Sequence, residues 1–288
     1  MGDGGRKLRL DSDEVSAASG NGRGSAVVHF LLAAASLWQR EVVRFMRQPS
    51  RIIGAFGAPF LFWVLIGSGL GRSFQMTDLG VDSDVHYLQY FFPGTLLLMV
   101  IFTSIFGSYS LIEDRKEGFL QSVMVSSASR GSIVLGNVLG GATLALLQGL
   151  LFAALAPAIG LSMELSTGFL LAGVIFLIAL GQSALGFLLA WPMHSTQGYH
   201  SVTNLLLMPM WFLSGALFPV AGAAEWVQWL MKLNPVTYGL NLLRHTLAPE
   251  QLPADTSLTV SWIVTILFTL LLYGLAWIII HRPLIRRR

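Results

Sequence analysis

The sequence contains no cysteine, only three lysines (Lys7, Lys116 and Lys232) and few charges of either sign. Without cysteine there are no disulfides, no thiolate metal sites and no cysteine nucleophile. Asp, Glu, Lys and Arg together make up 11% of the 288 residues, against roughly 25% in an average soluble domain, so a water-facing surface of ordinary size cannot be covered. The same scarcity, set beside 54% hydrophobic residues and a mean hydropathy of +0.66, excludes a disordered chain and a nucleic-acid binder, both of which need abundant charge. What remains is an integral membrane protein.

Six apolar runs are long enough, at ~20 residues, to cross the hydrocarbon layer as helices; they lie at 52–71, 88–112, 133–159, 168–191, 202–221 and 258–280. None contains Asp, Glu, Lys, Arg or His. Continuous runs indicate helices, because a membrane barrel alternates over segments of ~10 residues. The missing intramembrane charge removes the relay that proton- or sodium-driven carriers need. No G-x-x-x-x-G-K-[ST] occurs, and GSGLG at 67–71 follows a lipid-spanning run, so the chain holds no nucleotide-binding loop of that kind. An active transporter of this composition needs an energy source on another subunit.

Orientation follows from the 18 basic residues. Eight precede the first run, three (Arg115, Lys116, Arg130) follow the second and four (Arg282, Arg286, Arg287, Arg288) end the chain, whereas only Arg72, Lys232 and Arg244 fall on the other side. The positive-inside tendency then puts both termini in the cytoplasm. The chain divides into a Gly/Ser/Asp-rich tail at 1–25, expected to be disordered; an amphipathic segment at 26–51; a six-helix domain at 52–281; and a basic tail at 282–288. At ~100° per residue, Leu31, Trp38, Val42 and Phe45 share one face of the amphipathic segment and Arg40, Arg44, Arg47 and Arg51 the opposite one. Such a helix lies in the headgroup layer with its arginines on lipid phosphates; the alternative is a soluble helix packed on its neighbours.

The loop after the second run reads EDRKEGFLQSVMVSSASRGSIVLGNVLGG. Charges at Glu113, Asp114, Arg115, Lys116 and Glu117 precede Gly118, and Phe119, Leu120, Val123 and Met124 then form a short helix with one apolar face. That face suits either a soluble partner or the membrane surface. Gly136 and Gly140, spaced G-x-x-x-G, permit close helix packing. After the fifth run, AEWVQWLMK carries Trp226 and Trp229 for an interfacial belt, and Asn234-Pro235 supplies a cap and first helical residue. The helix it opens sets Val236, Leu240, Leu243 and Leu247 on one side, with Asn241, Arg244 and His245 elsewhere. Two short amphipathic helices are therefore expected on the outer side, as an exit gate or as a lid. Aromatic and apolar residues of the second and fifth runs, Phe91, Phe92, Phe102, Phe106, Met208, Trp211 and Phe212, are candidate walls of a pathway for amphipathic or hydrophobic cargo. Ser214-Gly215 weakly evokes an intramembrane serine protease, but no histidine lies on a predicted span.

The 113–138 segment resembles the coupling-helix region of type-2 ABC exporter permeases, E-R-x-x-G-T-L-x-x-L-L-x-[ST]-P-x-[ST]-R followed by Gly-Lys. FLSGALFPV and LNPVTYGLNLLRHTL resemble that family's fifth-span end and exterior Asn-Pro-x-x-Tyr segment. Order and spacing agree from about residue 30 to 285, while Phe119, Ser127 and Asn137 replace the usual Thr, Pro and Lys. The resemblance implies an all-α permease of the plasma (inner) membrane that works as two copies with two separate ATPase subunits. ATP and Mg would sit on the partner and no cofactor on this chain. It implies that Glu113, Arg115, Gly118, Phe119, Leu120, Val123, Met124 and Arg130 form the ATPase-coupling region. By the same resemblance Leu31 to Arg47 form a connecting helix that touches the ATPase, and Asn234, Pro235, Tyr238 and Arg244 belong to the exterior gate. A membrane scaffold binding a cytoplasmic partner through the same loop, with no transport cycle, is the rival expectation.

Overall fold

Backbone polar groups in lipid must be satisfied within the protein, and the long apolar runs accordingly form helices, with no strand among the described residues. The computed structural model describes residues 11–70, 87–125, 129–161, 165–249, 252 and 256–282. In chain order the helices are α1 (Asp11–Met46), α2 (Pro49–Leu70), α3 (Tyr87–Gly107), α4 (Tyr109–Lys116), α5 (Phe119–Val125), α6 (Arg130–Ala153), α7 (Leu165–Ala190), α8 (Thr196–Phe212), α9 (Glu225–Leu233), α10 (Pro235–Leu247) and α11 (Leu258–His281). Starts are fixed locally. Ser129, Ser195 and Ser257 accept from the backbone N–H of Ser132, Gly198 and Val260, and Asn234 from that of Val236, satisfying donors that a helix N-terminus leaves open.

α3 is the central helix, buried from Tyr90 to Ile101 and packed on α2, α6 and α7; α11 covers α7, and α10 lies against α7 and α11. Lipid tails are as apolar as leucine, so close packing and not hydrophobicity alone must hold such a bundle. At the α3–α6 crossing a Cβ on Gly107 would stand 2.9 Å from Gly141 Cα, which only glycine allows.

Among the described residues five helical stretches are long and apolar enough to cross a membrane, Ile52–Gly69, Tyr87–Lys116, Arg130–Ile159, Ser166–Ala190 and Leu258–His281. The run at 202–221 is helical as α8 for 17 residues ending at Phe212, about 25 Å at 1.5 Å per residue, the short end of spanning length. Pro209 sits in its last turn and Gly215 takes φ +90°, so the chain turns away where an apolar reading continues the helix. α1 begins at Asp11, within the stretch expected as a tail; adding residues to an established helix fixes one hydrogen bond each and avoids the nucleation cost. Residues 1–10 and the basic tail at 283–288 lie outside the described residues.

Candidate functional site

The segment between the second and third long helices is a clamped hairpin. α4 ends at Lys116, Gly118 turns the chain at φ +79°, a conformation side chains disfavour, and α5 folds back. Arg40 of α1 donates to both carboxylate oxygens of Asp114, at 2.5 and 2.6 Å. Arg44 bridges Asp114 (3.0 Å) and Glu113 (2.6 Å). From the other side Arg115 donates to the carbonyls of Trp191 and Met193, 2.7 Å each, at the end of α7. Its guanidinium lies over the Trp191 ring, using carbonyls that a helix C-terminus leaves unpaired.

The apolar face of α5 points inward. Leu120 is buried, Val123 and Met124 pack partly buried on the core, and Phe119 lies beneath the Arg40 guanidinium at 3.9 Å. The outward edge consists of Lys116, Glu117, Gln121, Ser122 and Val125, with Arg130 exposed at the start of α6. Phe119, Leu120 and Val123 border a small cleft with Leu37 and Glu41 of α1 and Ile133 and Asn137 of α6.

Ala34, Leu37 and Glu41 of α1 face α6 and Phe45 is buried, while Leu31 and Arg47 are exposed, Trp38 reaches the surface and Val42 is half-buried. A Cβ on Gly136 would lie 2.7 Å from Leu37 Cβ, and one on Gly140 2.8 Å from Glu41 Cβ, so the glycine pair is the groove that seats α1. Trp38 Nε1 donates to Thr143 Oγ1 across the same seam (3.0 Å). Arg40 and Arg44, expected on lipid phosphates, are bound to α4 carboxylates, since a paired carboxylate within reach holds a guanidinium more firmly than a solvated headgroup. Burial pushes the Glu41 carboxyl up to about 7; Asp114 raises it further, while a hydrogen bond from Ser110 and the charges of Arg40 and Arg44 oppose the shift.

At the opposite end the last turn of α8 and the non-helical backbone after it are bound by side chains. Tyr87 donates to the Leu217 carbonyl (3.1 Å), Tyr90 and Arg244 to that of Gly215 (2.8 and 2.6 Å), Thr237 to Leu213 (3.3 Å) and Asn234 to Met210 (2.6 Å). Arg244 is fully buried, 4.6 Å above the Tyr90 ring. Irregular backbone at membrane depth persists where protein donors satisfy it. Of the four expected gate residues, Asn234 and Arg244 hold this segment, Pro235 opens α10 and Tyr238 donates to the Lys232 carbonyl. α10 is largely buried, not laid on a surface, whereas α9 exposes Trp226 and Trp229. Ser214 is buried and donates to the Trp211 carbonyl (2.6 Å), a helix-ending role.

Between α2, α3 and α8 lies a cavity of about 740 Å³. Phe102, Phe106, Met208, Trp211 and Phe212 line it as expected residues of the second and fifth runs. Phe91 and Phe92 do not: both are fully buried, Phe91 against Phe62 and Trp211 and Phe92 stacked on Phe152 at 4.7 Å. Phe91 lies on the same side of α3 as Phe102 but behind the wall, covered by Phe62 and Trp211, while Phe92 packs toward α6.

The family profile described as the ABC-2 type transporter matches residues 33–248, most of the chain. This chain belongs to the ABC-2 type transporter family. It is 27% identical over 211 residues to the transport permease ycf38 of Cyanophora paradoxa, covering 72% of this chain and 71% of the relative. It is 24% identical to nodulation protein J of Rhizobium leguminosarum bv. trifolii over 214 residues (73% and 79%), and 24% to that of Neorhizobium galegae over 231 (78% and 85%). A multi-pass transmembrane permease of an ABC transporter is what the long apolar helices and these relatives jointly describe.

Several residues that shape this ABC-2 permease escape sequence reasoning. Asp114 carries the clamp, and Glu41, held between α1 and α6, had one signal, a lone carboxylate within the amphipathic segment. Tyr87 and Tyr90, spaced i, i+3 ahead of a span, bind a loop over 120 residues away, which no local pattern announces. Gln48, Pro59, Phe62 and His200 join the cavity from elements whose pairing is tertiary.

Proposed function

We propose that this permease is the membrane half of an ATP-driven exporter: two copies form the pathway, and each receives a separate ATPase subunit on the α4–α5 hairpin. The basic end of the bundle is cytoplasmic in this reading, and ATP with Mg binds the partner. The observation that carries it is the clamp, in which Arg40, Arg44 and Arg115 tie the hairpin to α1 and α7, so a push on the hairpin moves both helices. The ATPase contacts the outward edge, Lys116, Glu117, Gln121 and Ser122, while Phe119 and Leu120 transmit from beneath. The cavity between α2, α3 and α8 serves the cargo, and α9 and α10 with the segment they hold form the outer gate.

The test is co-reconstitution with an ABC ATPase subunit from the same organism. The wild-type chain stimulates ATP hydrolysis, and Lys116→Glu with Gln121→Glu lowers that stimulation more than tenfold while insertion is unchanged. Unchanged stimulation in the double variant moves the contact elsewhere. A wild-type chain that binds a partner without ever altering nucleotide turnover establishes the scaffold reading instead.

A further inference from the structure

Three helices meet around Trp277, near the end of α11. A Cβ on Gly131, in the first turn of α6, would collide with its ring, so the glycine is what lets the indole lie over the start of that helix. Phe30 of α1 stands against the same ring at 6.4 Å and His281 at 5.1 Å. The indole nevertheless stays 39% exposed. His281 Nδ1 donates to the Trp277 carbonyl (2.7 Å), which leaves Nε2 for another partner. Each of these contact residues has a basic neighbour in the chain. Arg130 precedes Gly131, Arg282 follows His281 and His29 precedes Phe30, and all three are exposed. Among the described residues none of His29, Arg130, His281 and Arg282 forms an ion pair. The carboxylates of Glu113 and Asp114 are taken by Arg40 and Arg44, and Glu41 is enclosed against Gly140. Apolar surface continues from this basic corner: Leu271, Leu275 and Ile278 are exposed along one side of α11, as are Val27 and Leu31 on α1.

We propose that this corner holds one phospholipid of net negative headgroup, its phosphate between Arg130 and Arg282, Trp277 at headgroup level and the acyl chains along Leu271, Leu275 and Ile278. Guanidinium groups pair phosphate oxygens through two parallel hydrogen bonds, and tryptophan settles where hydrocarbon meets headgroups. An acidic protein surface would match the arginines and leave the leucine row in water. An apolar partner would bury guanidinium groups without counter-charge, which is costly. A zwitterionic lipid brings an ammonium group that competes with the arginines for the same phosphate. A lipid held here touches α1, α6 and α11 at once and so ties the middle of α1 to the bundle. The site shares no residue with the α2–α3–α8 cavity or with the outward edge of the hairpin, and it stands whether or not the chain couples to an ATPase. It assigns Arg130 to the bilayer and not to the ATPase contact that resemblance implies.

The experiment places the full-length chain in phosphatidylcholine nanodiscs with a minor fraction of phosphatidylglycerol carrying a photoreactive diazirine in one acyl chain. Labelling is expected on the α11 peptide holding Leu271, Leu275 and Ile278, at least fivefold above that given by the same diazirine chain on phosphatidylcholine. Arg130→Gln with Arg282→Gln should bring it down to the phosphatidylcholine level. Arg47→Gln, which removes the same charge from an exposed position on α1, should leave it unchanged. Equal labelling by the two probes shows ordinary lipid contact and overturns the site, as does a double variant that labels like the wild type. Loss of labelling in excess inorganic phosphate shows a site for the free anion and overturns the lipid. Efficient disulfide formation between two Arg282→Cys chains, or labelling that vanishes when an ABC ATPase subunit binds, gives the corner to a protein partner and overturns it as well; labelling that survives the ATPase supports it.

Discussion

A carboxyl enclosed between two helices resists ionisation, and Glu41 is the residue where this has a measurable consequence. Its folded value of about 7 exceeds the ordinary 4.5 because burial disfavours the charged form. The folded chain therefore keeps a proton that the unfolded chain releases between about pH 4.5 and 7. The contribution is full at low pH and is lost as pH rises through 7. Thermal unfolding, or hydrogen exchange in the second half of α1, should show weaker α1 docking at pH 8.5 than at pH 5.5. Glu41→Gln, which stays neutral, should flatten that difference, and a Gln variant with the wild-type pH profile sinks the assignment. Arg244 is the second single residue with a defined consequence. Arg244→Met removes a charged donor from the Gly215 carbonyl and should cost about 1.5–3 kcal/mol, read as a lower unfolding midpoint. Tyr90→Phe should cost about 0.5–1.5 kcal/mol. Because both groups donate to one oxygen, the two losses should not add.

Among the elements, α1 shows what a helical pattern leaves open. The arginines and apolar residues do form two sides, but helical phase alone cannot tell lipid phosphate from a neighbouring carboxylate, and Asp114 and Glu113 come from a helix some 70 residues away. The α6 glycines were legible as a packing site, and only their partner was hidden. Gly136→Leu should force α1 off α6, because its Cβ meets Leu37 and the backbone at Ala34; overpacking of this kind costs about 1–3 kcal/mol. Limited trypsin digestion at Arg40 and Arg44 should then accelerate, while Gly173→Leu, where a Cβ meets nothing within 4 Å, should leave the rate unchanged. Equal rates in the two variants would show that the seam does not hold the helix. The α5 helix teaches the same point: period and apolarity were evident, yet the direction of its sticky side depended on surfaces contributed by α1 and α6.

For the whole molecule, the sequence by itself determined that the chain is a helical membrane protein. Continuous apolar runs leave no other way to satisfy the backbone in lipid, and neither intramembrane charge nor a phosphate loop is written anywhere in it. The approximate bounds of five spans, the cap at Asn234 and the short helix after Gly118 were legible for the same reason, since each is set by neighbours within a few residues. Only the tertiary structure decided which side of each helix is inner, where α8 stops, and which aromatics line a cavity: Phe91 and Phe92 are indistinguishable from Phe102 and Phe106 by type and by helix. Those facts depend on groups far apart in the chain. α8 ends at Phe212 because Tyr87, Tyr90, Thr237 and Arg244 bind the backbone that follows, and a hydropathy run records apolarity but not the presence of distant donors that let a helix end inside the bundle.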